Sequence, residues 1–238
     1  MVNQFTSKKE LWYCDCGLLP YAEAWELQKQ LFLARKQGLI PDVVLLLEHP
    51  HTYTLGKVAS KDNLLSSEDE LRAEGINIFE IDRGGDITYH GPGQVVGYPI
   101  IDLNLWQKDS HKYLRALEEL IISTASEYGL ECGRNPKYTG VWIQDRKIAA
   151  IGIKISSWIT MHGFAFNVNT ELKKFNGIIP CGITDKSVTS LEAELCKPIE
   201  INEVKSKLLR HFINIFGHTG VVKTSPTDIK ENLFSKVN

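Results

Sequence analysis

The sequence predicts one domain of the α+β class over residues 1–238, because its strand-like segments cluster in hairpins between a few helix-period segments. The strict strand-helix-strand alternation that would indicate a parallel sheet is not followed. We therefore expect a mixed or antiparallel sheet with flanking helices. The chain has 238 residues and 43% hydrophobic content, which is enough for one sizeable core.

The elements are predicted from the spacing of apolar residues. Helical period occurs over residues 21–37, 110–128 and 202–216. Strand-like segments occupy residues 43–47, 78–81, 95–103, 141–155 and 164–168. The fourth of these divides at Asp145-Arg146, which predicts a hairpin with a two-residue turn. The polar end of the chain, residues 223–238, is expected to be loosely attached.

Composition excludes several classes of protein. The chain carries 27 basic and 29 acidic residues, a net charge of −2 that gives no basic signature for nucleic acid. No apolar run approaches the length of a membrane-spanning helix. Five cysteines, an odd number in a chain without a signal peptide, favour a reducing compartment, so the expected location is the cytoplasm.

The most informative stretch is the glycine-rich segment, residues 83–98, which reads Arg-Gly-Gly-Asp-Ile-Thr-Tyr-His-Gly-Pro-Gly-Gln-Val-Val-Gly-Tyr. Its glycines permit close approach of backbone to a ligand, and Pro92 stiffens the turn. Neither phosphate-binding fingerprint, Gly-x-x-x-x-Gly-Lys-Ser/Thr or Gly-x-Gly-x-x-Gly, occurs in it. An ordinary turn between two strands explains the glycines but not the presence of Arg83, Thr88 and His90, so we interpret the segment as a ligand-binding loop.

A candidate nucleophile lies downstream in a second polar cluster, residues 178–190. Cys181 stands between Pro180 and Gly182, an arrangement that predicts a thiol presented on a tight turn. An unperturbed thiol has a pKa of about 8.5 and is mostly protonated at neutral pH, so a nucleophilic role requires a partner that accepts its proton.

Lys147 is the candidate partner. Strand alternation places it on the same face as the apolar residues Ala149, Ile151, Ile153 and Ile155. Burial there would lower the pKa of the amine, and a nearby thiolate would raise it again, which suits a shared proton. The alternative, equally open from alternation alone, is that Lys147 extends past the turn into water.

We do not expect the histidines or the remaining cysteines to act as the nucleophile or its principal base. We expect His90 to order the glycine-rich segment or to contact substrate, and His162 to bond a backbone group at the start of its strand. A histidine as the principal base beside Cys181 is the alternative. A metal site is not predicted, because the seven histidines form no His-x-x-x-His pair. Cys14 and Cys16 share one face of a strand-like run and are predicted to be buried thiols.

Four motifs together resemble the octanoyltransferases of lipoate synthesis, which transfer octanoyl groups from acyl carrier protein to proteins. They are Arg-Gly-Gly-x-x-Thr-x-His-Gly-Pro-Gly-Gln at 83–94, Arg-Lys-Ile-Ala-Ala-Ile-Gly at 146–152, His-Gly-Phe-Ala-Phe-Asn at 162–167 and Pro-Cys-Gly-Ile at 180–183. The motifs lie within about residues 40–195 and follow the order of that family.

The resemblance implies a fold, a reaction and partners. The fold is that of the biotin/lipoate protein ligases. An octanoyl group moves from octanoyl-acyl carrier protein to the enzyme cysteine, and then to a lysine of a lipoyl domain. The acceptors in the family are the E2 subunits of 2-oxoacid dehydrogenases and the glycine-cleavage H protein. Neither ATP nor another cofactor nor a metal is implied.

The resemblance also implies which residues form the site. Cys181 corresponds to the nucleophile, and Lys147 to the residue that lowers its pKa and transfers protons. The acyl-binding segments correspond to three stretches of this chain: Arg83, Gly84, Gly85, Asp86, Ile87, Thr88, Tyr89 and His90; Ala150, Ile151 and Gly152; Gly163, Phe164 and Ala165.

Two alternatives remain open from the sequence. An ATP-dependent lipoate- or biotin-protein ligase of the same fold would activate a free acid and would need no cysteine. A non-catalytic binder of acyl-carrier or lipoyl domains would keep the pocket without turnover. The joint presence of Cys181 and Lys147 favours the transferase over both.

Overall fold

The computed structural model describes residues 9–179, 186–229 and 231. Its α-helices are α1 (Tyr21–Lys36), α2 (Glu68–Ala73), α3 (Ser110–Ser126), α4 (Leu191–Leu195) and α5 (Ile201–Phe216). Its strands are β1 (Glu10–Leu18), β2 (Asp42–Glu48), β3 (Thr52–Leu55), β4 (Asn77–Glu80), β5 (Ile87–His90), β6 (Gln94–Ile100), β7 (Gly133–Arg134), β8 (Val141–Ile143), β9 (Arg146–Ser156), β10 (Ile159–Asn167), β11 (Ser187–Val188) and β12 (Gly220–Thr224).

Nine of these strands form one mixed sheet in the order β12-β1-β2-β6-β10-β9-β8-β7, with β11 pairing to β9. The pairs β12-β1 and β1-β2 are parallel, and the ladder from β2 to β7 is antiparallel. The remaining strands form a small sheet in the order β4-β3-β5. The predicted α+β class with a mixed sheet and flanking helices is confirmed.

The central strands of the large sheet are apolar on both faces because helices cover both faces. In β2, Val44 and Leu46 pack into the core beneath α3 and α5, whereas Val43 and Leu45 pack into the core beneath α1. Alternate residues thus belong to different cores, which explains the continuous apolar run in the sequence. A third core lies against the small sheet and includes Tyr53, Tyr89 and Phe175.

Local capping fixes where the long helices start and stop. The side chain of Asp109 accepts hydrogen bonds from the backbone N–H groups of His111 and Lys112 at the start of α3. Gly217, with φ of 71°, ends α5 in the left-handed conformation that glycine adopts at low cost. The three predicted helices are therefore present, and their bounds differ from the sequence expectation by at most two residues.

Two local predictions were wrong. The glycine-rich segment was expected to be a loop up to the strand predicted at 95–103, but Ile87–His90 forms β5, because its branched and aromatic side chains suit a buried strand. The hairpin turn lies one residue earlier than expected: Ile143 pairs with Arg146, so the turn residues are Gln144 and Asp145. Gln144 takes a φ of 52° there, which the sequence does not signal.

Part of the polar stretch at residues 223–238 lies in the large sheet. The first two residues of the polar stretch predicted as a tail, Lys223 and Thr224, belong to β12, which pairs with β1. Within the described residues, every helix is either too short or too polar to cross a membrane.

Shortening a buried side chain on α5 should destabilise the whole fold. Leu208 is 1% exposed in the core beneath α3 and α5. We expect Leu208→Ala to lower the free energy of unfolding by about 2–5 kcal/mol, through lost burial and the cavity left behind. Leu33→Ala on the outer face of α1, where the side chain is 55% exposed, should cost about 0.5 kcal/mol or less. Urea unfolding of both variants checks this, and equal losses would contradict it.

Candidate active site

Two adjoining cavities lie where the small sheet covers the α1 face of the large sheet. The larger has an empty volume of about 460 Å³ counted to its mouth, and the smaller about 290 Å³. They share the lining residues Thr88, Ala150 and Ala165. The smaller cavity is also lined by Lys147, Gln94, Asn167, Phe175 and Val188.

The alternation of β5 divides the first predicted acyl-binding stretch between two environments. Thr88 and His90 line the larger cavity, whereas Ile87 and Tyr89 are fully buried in the core of the small sheet. A contiguous stretch of sequence therefore supplies only alternate side chains to the cavity. Of the residues before β5, Arg83, Gly85 and Asp86 line the same cavity.

Arg83 forms one wall of the larger cavity. Its side chain is 7% exposed, and its guanidinium donates to the carbonyl of Gly84 and to both the carbonyl and the hydroxyl of Thr54. The side chain lies across Gly152: a Cβ on that glycine would be 2.9 Å from Cδ of Arg83 and 2.9 Å from the carbonyl oxygen of Gly84. Only glycine leaves room for the wall at this point.

Arg83 also starts a buried hydrogen-bond chain. The hydroxyl of Thr54, which accepts from Arg83 at 2.9 Å, lies 3.4 Å from Nε2 of His90. Nδ1 of His90 lies 2.8 Å from Oε1 of Gln94. Because an amide oxygen only accepts, Nδ1 carries a proton. Burial lowers the pKa of His90 well below its ordinary value, so the ring is neutral and Nε2 accepts from the hydroxyl of Thr54.

The chain continues from Gln94 to the strand that carries Lys147. The amide of Gln94 donates to Oδ1 of Asn167 at 2.9 Å, and the amide of Asn167 donates to the carbonyl of Thr189 at 2.9 Å. The backbone N–H of Thr189 donates to the carbonyl of Lys147 at 3.0 Å. A continuous series of buried polar groups thus connects the Arg83 wall with Lys147.

The remaining two predicted stretches form the floor of the cavities. Ala150 pairs with Ala165 and Gly152 pairs with Gly163 across β9 and β10. We call these four residues the small-residue floor. Their missing or short side chains leave space above the sheet, while Val96 and Tyr98 on β6 extend the surface beside them. Ile151 and Phe164 also border the larger cavity.

Lys147 is buried, but the alternation argument placed it on the wrong face. Between Val141 and Trp142 of β8 the register with β9 shifts, so that Ile148 is an extra residue in β9. Ile148 and Ala149 both enter the core beneath α3, and Lys147 and Ala150 both face the cavity. A β-bulge, which the sequence does not reveal, therefore resets the alternation.

The surroundings of Lys147 hold its ammonium in place. The side chain is 6% exposed, so it does not extend past the turn into water. Its Nζ lies 4.9 Å from the centre of the Trp142 ring, a distance at which the ring face stabilises a cation. A Cβ on Gly140 would be 2.6 Å from the carbonyl oxygen of Ala149, so only glycine fits beside this part of β9. The backbone of Lys147 pairs with both Trp142 and Val188.

His162 binds a side chain and not the backbone group that we expected. Its Nε2 lies 2.8 Å from Oδ1 of Asp82, while its backbone N–H donates to the side chain of Gln28 at 2.9 Å. Lys154 pairs with the other oxygen of Asp82. Burial alone would raise the pKa of Asp82, but the bonds from Lys154 and His162 hold it below its usual range. His162 has a φ of 58°, which turns its ring toward the larger cavity.

Burial keeps three histidines around the cavity uncharged. It lowers the pKa of His162 to about 4, although the bond to Asp82 opposes the shift. It lowers the pKa of His49 to about 4 against the opposing bond to the carbonyl of Leu19. The pKa of His90 is lowered well below its ordinary value, first by burial and then by the neighbouring His49. The rings of His49 and His90 are 5.6 Å apart. These three histidines therefore add no charge to the site.

Sequence reasoning missed several residues of the site. Tyr21 at the start of α1 and Tyr98 of β6 line the larger cavity, and Asn167 and Phe175 line the smaller one. Tyr21 follows Pro20 at a helix start, a position whose composition carries no signal of a ligand. The candidate nucleophile Cys181 lies outside the described residues, so its geometry stays a prediction.

Comparison with known proteins gives the family. The family model described as the lipoyl protein ligase A/B catalytic domain matches residues 20–213. An octanoyltransferase of Solibacter usitatus is 54% identical over 200 residues, covering 84% of this chain and 90% of that protein. One of Rubrobacter xylanophilus is 53% identical over 206 residues, covering 86% and 92%. The chain therefore belongs to the lipoyl protein ligase A/B family, and the resemblance of its motifs to the octanoyltransferases is confirmed.

Solved structures agree on the fold. The crystal structure of a lipoate-protein ligase A bound with ATP gives a TM-score of 0.72 at 14% identity, covering 97% of this chain and 94% of that chain. A bipartite lipoate protein ligase from Thermoplasma acidophilum gives 0.71 at 15% identity, covering 97% and 91%. The predicted lipoate protein ligase-like fold is confirmed.

The lowered pKa values predict a pH dependence of stability. A histidine whose pKa is about 6.5 when unfolded and lower when folded binds its proton only in the unfolded chain, so stability is present above about pH 6.5 and falls as the pH is lowered. Each of His49, His90 and His162 should contribute up to about 1.4 kcal/mol per pH unit between about pH 6.5 and its folded pKa.

Urea unfolding between pH 7.5 and 5 measures this slope. His162→Gln should give a shallower slope than the wild type, whereas His111→Gln, a change at an exposed position, should leave the slope unchanged. A His162→Gln slope equal to that of the wild type would show that burial does not keep this imidazole neutral.

Proposed function

We propose that this chain transfers an octanoyl group from octanoyl-acyl carrier protein, through a thioester on Cys181, to a lysine of a lipoyl domain. The observation that carries the proposal is the identity of 46–54% with octanoyltransferases over most of the chain. The buried Lys147 at one end of a cavity with a small-residue floor is what such a reaction requires.

The lining of the cavities suits an acyl thioester. An octanoyl chain is apolar and its thioester carries no charge, so the site needs space and apolar walls more than counter-charges. The small-residue floor gives the space, and Val96, Ile151 and Phe164 give apolar surface. The neutral state of His90 and His162 avoids burying charged groups against a hydrocarbon chain.

Lys147 is the group that handles the proton of the nucleophile. Cys181 precedes Val188 by seven residues, and Val188 pairs directly with Lys147. Seven residues span at most about 25 Å, so the chain must return to Lys147 within that distance. An ammonium in a partly dry site stabilises a neighbouring thiolate, and each pKa unit of such stabilisation is worth about 1.4 kcal/mol.

The reaction then proceeds in two steps that balance without a co-reactant. The Cys181 thiolate attacks the thioester carbonyl of the donor. A C–S bond to Cys181 forms as the C–S bond to the carrier breaks, and the carrier sulfur leaves as a thiol with the proton that Lys147 took from Cys181. The acceptor amine then attacks the enzyme thioester, an amide forms, and the Cys181 thiol is released. Thioester exchange is close to isoenergetic and amide formation is downhill, so no ATP is required.

Two partner proteins follow from this chemistry. The donor is an acyl carrier protein, and the acceptors are lipoyl domains such as those of 2-oxoacid dehydrogenase E2 subunits or the H protein of glycine cleavage. Both partners must present a long flexible arm to the same nucleophile in turn. The arm of the carrier ends in its thiol, and that of the lipoyl domain is a lysine. Covalent storage of the acyl group lets one site serve both.

The decisive experiment detects the covalent intermediate. Wild-type protein incubated with octanoyl-acyl carrier protein, without ATP, should gain one octanoyl group that hydroxylamine removes, and Cys181→Ser should gain none that hydroxylamine removes. Cys132→Ser and Cys196→Ser are matched controls and should behave as the wild type. If no protein is acylated but ATP with free octanoate supports transfer to a lipoyl domain, the chain is a ligase. If neither acylation nor ATP-dependent transfer is detected, the chain is a non-catalytic binder of acyl-carrier or lipoyl domains.

Filling the floor should impair octanoyl transfer. The Cβ of Gly152→Ala would meet the Arg83 side chain and the Gly84 backbone at 2.9 Å, so the wall must shift. Overpacking of this kind costs about 1–3 kcal/mol, and we expect a loss of at least about tenfold in the rate of acylation. Gly133→Ala, whose Cβ has no heavy atom within 4 Å, is the control. Equal rates and melting temperatures in the two variants would contradict the role of the wall.

A further inference from the structure

Cys14 and Cys16 form a close thiol pair on β1, away from the cavities. Their sulfur atoms are 3.4 Å apart. Cys14 is fully buried in the core beneath α1, and Cys16 is partly exposed. The sequence predicted that they share a face, and the structure brings their sulfurs into direct contact. Nothing in the proposed acyl transfer uses them.

The backbone around the pair is asymmetric. Cys14 is held on both sides, because it pairs with Leu45 of β2 and with Thr224 of β12. In the described ladders, β12 pairs no further than Cys14, and the register with β2 breaks between Asp15 and Leu18. Cys16 therefore lies where β1 leaves its neighbours. Gly17, with φ of 58°, turns the chain directly after it.

We propose that Cys14 and Cys16 are a redox-active dithiol, which a hydroperoxide oxidises to an intrachain disulfide. The S–S bond measures about 2.05 Å, so the sulfurs must approach by roughly 1.4 Å. Residues two apart in a strand have Cα atoms about 6.6 Å apart, inside the upper limit of about 6.8 Å for a disulfide. The loosened backbone at Cys16 supplies the movement.

The partial exposure of the pair defines the order of events. The sulfur of Cys16, the more exposed residue of the pair, attacks the peroxide oxygen: the O–O bond breaks, an alcohol or water leaves, and Cys16 becomes a sulfenic acid. The Cys14 sulfur then attacks the Cys16 sulfur, the S–O bond breaks, and the oxygen leaves as water with the proton of Cys14. Two thiols lose two electrons in all, and the peroxide gains them.

The hydrogen bond within the pair supports this order. The hydrogen bond between the two thiols, together with burial, raises the pKa of Cys14 above its ordinary value. Cys14 therefore keeps its proton and does not react with oxidant by itself. It is placed as the second thiol, within contact of the sulfur that oxidises first.

The test uses the full chain carrying Cys181→Ser, so that the proposed nucleophile consumes no oxidant. After treatment with hydrogen peroxide, intact mass and peptide mapping should show the loss of two hydrogens in the peptide that contains Cys14 and Cys16. Dithiothreitol should restore them. Adding Cys14→Ser or Cys16→Ser should abolish the loss, whereas Cys132→Ser and Cys196→Ser should not.

A second readout keeps the test valid if a variant folds poorly. With Cys14 present, the disulfide should intercept the sulfenic acid, so Cys16 should accumulate at least about tenfold less sulfinic acid than in Cys14→Ala. The proposal is overturned if the wild-type pair keeps all its hydrogens, if the disulfide involves Cys132 or Cys196, or if Cys16 is over-oxidised equally with and without Cys14. Loss or retention of octanoyl transfer does not bear on these outcomes.

Discussion

The site depends on one constraint: the imidazole of His90 must stay neutral. In that form it accepts from Thr54 through Nε2 and donates to Gln94 through Nδ1, and both bonds are needed to connect the Arg83 wall with the rest of the chain. A charged ring would donate from both nitrogens, so Nε2 could no longer accept the hydrogen of the Thr54 hydroxyl. Burial and the nearby His49 prevent this, because both disfavour the charged form.

From that constraint the positions of the other groups follow. Gln94 fixes Asn167, Asn167 fixes Thr189, and Thr189 binds the backbone of Lys147. The Arg83 wall of the larger cavity and the cation proposed to act in catalysis therefore belong to a single network. Side-chain amides suit this role, since each one donates and accepts without a net charge that would have to be desolvated.

Much of this architecture could be predicted from the sequence, and the failures have a common cause. Helical period located α1, α3 and α5, and four motifs identified the family before any geometry was known. Alternation along strands failed for Lys147, because an extra residue at Ile148 reverses the facing of everything before it. A bulge depends on packing between strands, so no local pattern reports it. The Asp82–His162 contact joins residues 80 positions apart and was equally inaccessible.

The two irregularities of β9 and β10 have a joint consequence for the reach of the cavity. The bulge at Ile148 lies at one end of the small-residue floor, and the left-handed backbone of His162 lies at the other. Between them Ala150 pairs with Ala165 and Gly152 with Gly163, and all four residues line the larger cavity. The floor is thus bounded along the strands by two backbone irregularities, and moving either one would turn a different set of side chains toward the cavity.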